Sequence, residues 1–513
     1  MATIVSGDRR LDAADLQLRS RQAATGFAAL GLGPGSSVAF CLRNDIEFYE
    51  VSLGAGLLGA YAVPINWHFS PEEMRYILED SQARVLVIHA DLLPRMRSGF
   101  PDGVQVLVVP SPAALRTAYG IEESAGAVPP GETCWHDWVD GFAPHTEPAG
   151  ETPMAVFYTS GTTGRPKGVL RSAFTPVQQA ALARILSLSF GLTIVDDPGE
   201  IVTAVAGPAY HGAPNMHAMF SFRAGANIVV LPRFDGEELL RAIQDERITH
   251  LHLVPVMFNR LLKLAPEVRA RYDLSSLRFV AHAAAPCAPH VKRAMIDWWG
   301  PIIHEYYGST EGGIVTFCDS AESLAHPGTV GRVVDAAEIR ILGEAGRRLG
   351  PGEIGEIAVR YAGIGDFSYH NDDAKRRAVD RDGLVTVGDV GYLDEDGYLY
   401  ICDRKIDMVI SGGVNIYPAE IEAALSDMPG IADNAVFGIP DEEFGESVCA
   451  VIQAEPGHAP TVEQVQAFLR ERIAGYKVPR RIEFVETLPR EDSGKIFKRK
   501  LRAPYWEQAG RAI

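Results

Sequence analysis

Residues 158–168 read Tyr158-Thr-Ser-Gly-Thr-Thr-Gly-Arg-Pro-Lys-Gly168 and follow a strand-like run over 154–158. Gly161 and Gly164 let backbone N–H groups approach a ligand closely. The hydroxyls of Thr159, Ser160, Thr162 and Thr163 add donors, and Lys167 adds a positive charge. Such a set suits phosphate oxygens. A surface turn rich in glycine and hydroxyl residues is the bland alternative, and the length and order of the segment count against it. Simple γ-phosphoryl transfer is disfavoured. The loop used for it needs Gly-Lys followed directly by Ser or Thr, whereas Gly168 follows Lys167 here.

Residues of this kind need a rigid frame. Candidate strands lie at 38–42, 85–89, 104–109, 228–231, 250–254 and 278–281, with helical patterns between several of them. Ser70-Pro71-Glu72-Glu73 carries an N-cap, a proline in the first turn and a capping glutamate. Alternation of strand and helix implies largely parallel sheets covered by helices. After Tyr361 the texture changes. Residues 383–401 look like antiparallel hairpins turning at Asp394-Glu-Asp-Gly397. A compact α+β unit follows from about 406: a helix over 418–425, strands over 435–438 and 448–453, a helix over 461–473 capped by Thr461 and Gln464, and a strand over 481–485. Residues 122–150 read as a polar loop rich in Pro and Gly. The fold class expected is α/β. A large N-terminal domain, residues 1–403, has mixed and parallel sheets covered by helices, and a small α+β C-terminal domain spans 404–513.

Composition narrows the partners. A chain of 513 residues, 47% hydrophobic, can build more than one core. A formal net charge of -18 argues against nucleic acid, which requires a broad basic surface. The six cysteines show no paired or metal-binding spacing and read as free thiols. The N-terminus lacks a signal-peptide pattern. The apolar run 51–65 is too short to span a bilayer and carries Gly54, Gly56, Gly59 and Pro64, so it reads as a buried helix and a turn. A cytoplasmic protein without a transmembrane segment is expected. Its oligomeric state is left open, a homodimer included.

Residues 158–168 resemble the phosphate loop of the adenylate-forming superfamily, which comprises acyl-CoA synthetases, nonribosomal peptide adenylation domains and luciferases. The resemblance continues in order over nearly the whole chain. It implies that Tyr306-Tyr-Gly-Ser-Thr-Glu-Gly312 is a second nucleotide motif, in which Tyr307 stacks on adenine beside Gly308. Thr310 reaches the α-phosphate, and Glu311 holds Mg²⁺. Ala283-Ala-Ala-Pro286 matches the segment along adenine, through Ala285 and Pro286; taken singly it is equally a tight strand exit. Asp389 and Arg404 match the pair that binds ribose hydroxyls.

Lys495, in Pro489-Arg-Glu-Asp-Ser-Gly-Lys495, matches the catalytic lysine, whose charge meets the acid carboxylate and α-phosphate. The basic residues around it are either a solvated face or aids to holding CoA phosphates. His211 matches the histidine that positions the carboxylate. Asn215, Met216 and Met219, with Ala281, His282, Gly312 and Gly313 opposite, are the expected acyl pocket. Ser411, Gly412, Gly413, Tyr476 and Arg480 are expected at coenzyme A. The small domain should be mobile, pivoting at Lys405 and Ile406. There the chain departs from the family pattern, which places Asp or Lys where Ile406 stands.

The resemblance thus implies an AMP-forming acid–CoA ligase with ATP, coenzyme A and a small carboxylic acid as substrates and Mg²⁺ as cofactor. A medium- or long-chain fatty acid is the first expectation, and an aryl or hydroxycinnamate-type acid the alternative. Loading of a carrier protein in trans is the more distant one.

Overall fold

The computed structural model describes residues 2–147, 153–159, 167–171, 174–369, 373–490 and 496–508. Among these, strands Ser37–Cys41, Tyr61–Pro64, Val85–His89 and Gln105–Val109 form a four-stranded parallel sheet. A nine-stranded sheet lies beside it. Its middle strands Val202–Val205, His250–Leu253, Phe279–His282 and Ile303–Ser309 run parallel, and Gly313–Cys318 returns antiparallel. All six expected strands are present, with ends shifted by no more than a residue. Ser70 and Glu73 form the capping box foreseen, as do Thr461 and Gln464.

Two readings need correction. The run after the buried helix Ile46–Leu57 is not a turn; Tyr61–Pro64 pairs with Ser37–Cys41 as an edge strand, where Pro64 is tolerated. Within 122–150, residues Trp135–Asp140 form a helix, because Trp135 is fully buried and donates its ring N–H to Glu50 at 2.8 Å. An indole that finds an internal acceptor overrides a loop-like composition.

Ala337–Leu342, Gly355–Tyr361, Leu384–Leu393 and Leu399–Arg404 belong to an antiparallel sheet. The turn between the last two starts at Asp394, as the sequence indicates. Val409–Ser411, Val414–Ile416, Ile431–Asp441, Gly445–Ala454 and Arg481–Val485 make a separate sheet, covered by helices Pro418–Ser426 and Val462–Arg470. The two strands read as 435–438 and 448–453 are longer, because their polar ends continue the ladder to the turn at Asp441–Gly445.

The strand Ile303–Ser309 is anchored from below. Lys292, on helix Pro289–Trp299, pairs with Glu305, and both side chains are almost wholly buried. Removing one partner strands the other's charge in a low-dielectric core. Lys292→Ala is therefore expected to cost about 3–5 kcal/mol in urea unfolding. A loss below about 1 kcal/mol would mean water reaches Glu305.

Candidate active site

Along Ile303–Ser309 side chains alternate, so Tyr306 enters the core while Tyr307 faces the antiparallel sheet. The Tyr307 hydroxyl donates to Asp389 Oδ2 at 2.6 Å, and Arg404 Nε stands 3.5 Å from Asp389 Oδ1. Asp389 and Arg404 are direct partners across Leu384–Leu393 and Leu399–Arg404. Three residues from three chain segments thus meet at one carboxylate. Burial, reinforced by that carboxylate, pushes the Tyr307 phenol well above its ordinary pKa, so it stays a neutral donor. Gly308 is required by space, since a Cβ there would sit 2.3 Å from the Gly313 carbonyl oxygen. Beyond Phe279–His282, Ala284 turns with φ 74°, and Ala285 and Pro286 lie exposed.

Thr310 and Glu311 are fixed by a residue that sequence reading missed. Arg171 Nη1 donates to the Gly365 carbonyl at 2.8 Å, and Nη2 donates to the carbonyls of Glu311, at 2.8 Å, and Thr310. Burial pulls its pKa down to about 10, against the pull of Glu311 and Asp366. Arg171 ends the strand Lys167–Arg171, whose other end pairs as Lys167 with Thr159. The strand leaving the glycine-rich segment therefore carries the clamp for the second motif. The Tyr369 hydroxyl donates to Glu311 Oε1 at 2.9 Å. Ser160, Gly161, Thr162, Thr163 and Gly164 lie outside the described residues, as does Lys495; of Thr159 and Lys167 only the backbone is placed. Arg490 and Ile496, which flank 491–495, face each other in an antiparallel bridge.

His211 occupies the N-cap position of helix Gly212–Ala224, half-buried, with its ring 4.6 Å from that of Tyr210. The expected acyl set is divided. Asn215 donates to the Ala209 carbonyl at 3.1 Å, and Met219, one turn on, packs against the core around the four-stranded sheet. Met216 and Phe220 lie on another face and pack with Ala281 and Tyr306. Asn215 and Met219 leave the pocket set because residues four apart share a helix face and this pair faces away.

His282 also leaves it. Strand alternation sends it to the side opposite Ala281, with its ring 5.2 Å from Phe258. A Cβ on Gly312 would lie 2.5 Å from Val359, and Gly313 has φ 75°. Both are backbone positions. Gly312→Leu is accordingly expected to lower the melting temperature rather than to exclude large acids selectively. Phe190 meets His217, with Phe220 nearby. The first two rings stand 4.8 Å apart, and His217 shares the helix face of Phe220. Helical spacing back from Phe220, by three residues, reaches His217.

In the C-terminal sheet, Ser411, Gly412, Tyr476 and Arg480 line one cavity of about 370 Å³, together with Phe444 and Arg470. The arginine plane of Arg480 lies 4.1 Å over Phe444. Gly412 and Gly413, both with positive φ, form the two-residue turn of the hairpin Val409–Ser411 and Val414–Ile416. Gly413 is in this turn but not in the cavity wall. At the expected pivot, the Lys405 N–H donates to Gly388 O at 2.7 Å, and Arg502 donates to the Ile406 carbonyl at 3.2 Å. The small domain touches the large one through Lys263, which donates to Ala432 O at 2.5 Å, and His290, 2.7 Å from Asp427.

The description AMP-binding enzyme matches residues 1–366, and AMP-binding enzyme C-terminal domain matches 420–495. The chain belongs to this family. It is thus an adenylate-forming enzyme, as its motifs indicated. A fatty acid–acyl-carrier-protein ligase, ScoC of Streptomyces coeruleorubidus, is 31% identical over 98% of this chain and 93% of its own. An indoleacetate–CoA ligase of Aromatoleum aromaticum is 34% identical over 96% and 93%. Among solved structures, the anthranilate CoA ligase AuaEII in complex with anthranoyl-AMP superposes with a TM-score of 0.85 at 26% identity, covering 99% of this chain and 95% of that one.

In this AMP-binding enzyme Arg171→Lys keeps the charge but cannot span three carbonyls. The penalty for unpaired buried groups, about 1–3 kcal/mol, predicts a roughly 10- to 100-fold loss in kcat/KM for ATP. An unchanged kcat/KM would show that Thr310 and Glu311 hold their places without the clamp. No helix among the described residues is long and apolar enough to cross a membrane.

Proposed function

We propose that the protein is an AMP-forming acid–CoA ligase with its domain boundary at residues 403–404. The carboxylate attacks the α-phosphorus of ATP and expels pyrophosphate, leaving a mixed anhydride. The coenzyme A thiolate then attacks the carbonyl carbon and expels AMP. No covalent enzyme intermediate is needed, so the enzyme's work is positioning and charge stabilisation. The observation that carries this reading is the meeting of Tyr307, Asp389 and Arg404 at one carboxylate. An aromatic face for adenine stands there beside hydrogen-bonding groups suited to a ribose diol.

Each remaining part of the reaction has a candidate. Thr310 faces the α-phosphate, His211 orients the acid and Lys495 meets the charge that builds between them. Ser411, Gly412, Tyr476 and Arg480 line a cavity with room for part of coenzyme A. Among the described residues no group of three metal-ligating side chains occurs. Mg²⁺ needs only one or two carboxylates when phosphate oxygens and water complete its shell. Glu311 supplies one, oriented by Tyr369. Mg²⁺ bound there would neutralise triphosphate charge.

For the acid, the wall made by Phe190, His217, Phe220 and Tyr306 favours a ring-bearing substrate over the long aliphatic chain suggested by sequence alone. Aromatic rings stack and meet edge-on with such neighbours. ScoC makes transfer to a carrier protein the competing reading. AMP release from ATP and a mixed acid panel should accelerate on adding coenzyme A. Release driven only by an added carrier protein would favour the competitor.

A further inference from the structure

The outer face of the antiparallel sheet carries a second cavity, of about 470 Å³, for which the ligation chemistry has no use. In strand Ala337–Leu342 the side chains of Ile339 and Ile341 enter the core, so Arg340 and Leu342 turn to the opposite face. The chain then turns at Gly346, which has φ 76°, and brings Arg348 back beside Leu342 in an antiparallel bridge. From the other side come Arg377, on helix Asp373–Ala378, and Arg381, in the short strand Asp380–Arg381 that follows. Four guanidinium groups from two chain segments thus converge on one space, in a chain whose net charge is -18.

Neighbouring carboxylates offset only part of this charge. Arg340 Nε donates to Glu338 Oε1 at 2.8 Å, but Glu338 is shared with Arg360. Arg381 Nη2 stands 3.6 Å from Glu356 Oε2. Asp380, in the wall, is engaged by Arg376 at 3.3 Å. Arg348 and Arg377 have no ion-pair partner among the described residues, and Asp382 is the single wall carboxylate left to face them. Like charges gathered in this way repel unless an anion joins them.

The chemistry of the wall names the anion. A guanidinium offers parallel N–H donors that match two oxygens of a phosphate group, and several around one space suit a group with more than one charge. The volume falls in the range of pockets that take small organic ligands. Leu342 is the one apolar side chain in the described wall, which leaves no seat for an acyl chain. None of the wall residues belongs to the nucleotide, acyl or coenzyme A sets. The site nevertheless adjoins the linker between the domains, because Glu356 Oε2 is also 3.9 Å from Lys405 Nζ.

We propose that this cavity binds a soluble phosphorylated small molecule, whose phosphate is held by Arg348 and Arg377 with Arg340 and Arg381 at its sides. It is an anion site separate from the one that holds ATP.

Inorganic phosphate is the probe, and the readout is taken residue by residue so that phosphate bound at the nucleotide site does not confuse it. Phenylglyoxal, which modifies accessible guanidinium groups, is applied to the full chain at constant pH and ionic strength, with chloride or phosphate as the anion. Labelled peptides are then measured by mass spectrometry. At a phosphate concentration several times the dissociation constant, labelling of Arg348 and Arg377 should slow by about fivefold. Arg293, exposed on helix Pro289–Trp299 and outside the cavity, should change little. Arg377→Glu alters an exposed residue, so the fold and the rate of AMP release from ATP should stay at parent values while phosphate no longer protects Arg348. Equal protection of Arg293, which would mean general screening, would overturn the proposal. So would protection of Arg348 that survives in Arg377→Glu, or protection by phosphatidate vesicles and not by phosphate, which would make the ligand a membrane headgroup.

Discussion

In Lys495→Ala, acid-dependent pyrophosphate release is expected to fall about 10²–10³-fold, the usual scale for losing one preorganised charge-stabilising group. Thioester formation from supplied acyl-adenylate should fall far less. The asymmetry follows from where charge appears. In the first half-reaction a carboxylate approaches a phosphorus already ringed with negative oxygens, and a cation between them lowers that repulsion. In the second, a thiolate attacks a neutral carbonyl and the leaving group is a stable phosphate anion. The residues flanking 491–495 are held close, since Arg490 and Ile496 face each other across the chain. Equal losses in both halves would remove the role given to this lysine.

Ile406→Pro should do the reverse, leaving pyrophosphate release nearly intact while slowing thioester formation by about 10²-fold, as a misplacement of about an ångström can. The chain at Arg404–Met408 forms a tight turn, in which the N–H groups of Asp407 and Met408 both return to the Arg404 carbonyl. Any rotation of the small domain must pass through this turn, because Leu399–Arg404 belongs to one sheet and Val409–Ser411 to the next. Proline fixes φ at its own position and restricts the residue before it. Ile406 is 43% exposed, so its replacement removes little core. A melting curve separates a locked hinge from an unfolded linker. A folded variant that makes acyl-CoA at the parent rate would place the pivot elsewhere.

Local signals in the sequence carried much of this. The strands at 85–89 and 250–254, the capping boxes at Ser70 and Thr461 and the hairpin turning at Asp394 each rest on residues near one another in the chain. The nucleotide residues were legible for a different reason, the order and identity of their motifs. What escaped notice depends on distant contacts or on the face a side chain takes. Arg171 looks like any basic residue ending a strand until Gly365, Thr310 and Glu311 come within reach of its guanidinium. Trp135 gave no helical period over so short a stretch; Glu50 and the core explain it. Proximity to His211 mixes two helix faces in the expected acyl set, and grouping His282 with Ala281 overlooks the alternation that separates adjacent strand residues. Gly312 and Gly313 suggested space, whereas the first meets Val359 and the second has a left-handed backbone.

The central claim is activation of a carboxylic acid as its adenylate, and transfer of an isotope tests it most directly. A carboxylic acid labelled with heavy oxygen at both carboxyl positions is incubated with ATP, Mg²⁺, coenzyme A and the full chain. The products are then weighed by mass spectrometry. Attack of the carboxylate on the α-phosphorus predicts AMP carrying one heavy oxygen, acyl-CoA retaining the other, and unlabelled pyrophosphate. Label in inorganic phosphate with formation of ADP, or thioester formed with unlabelled AMP, would contradict the account.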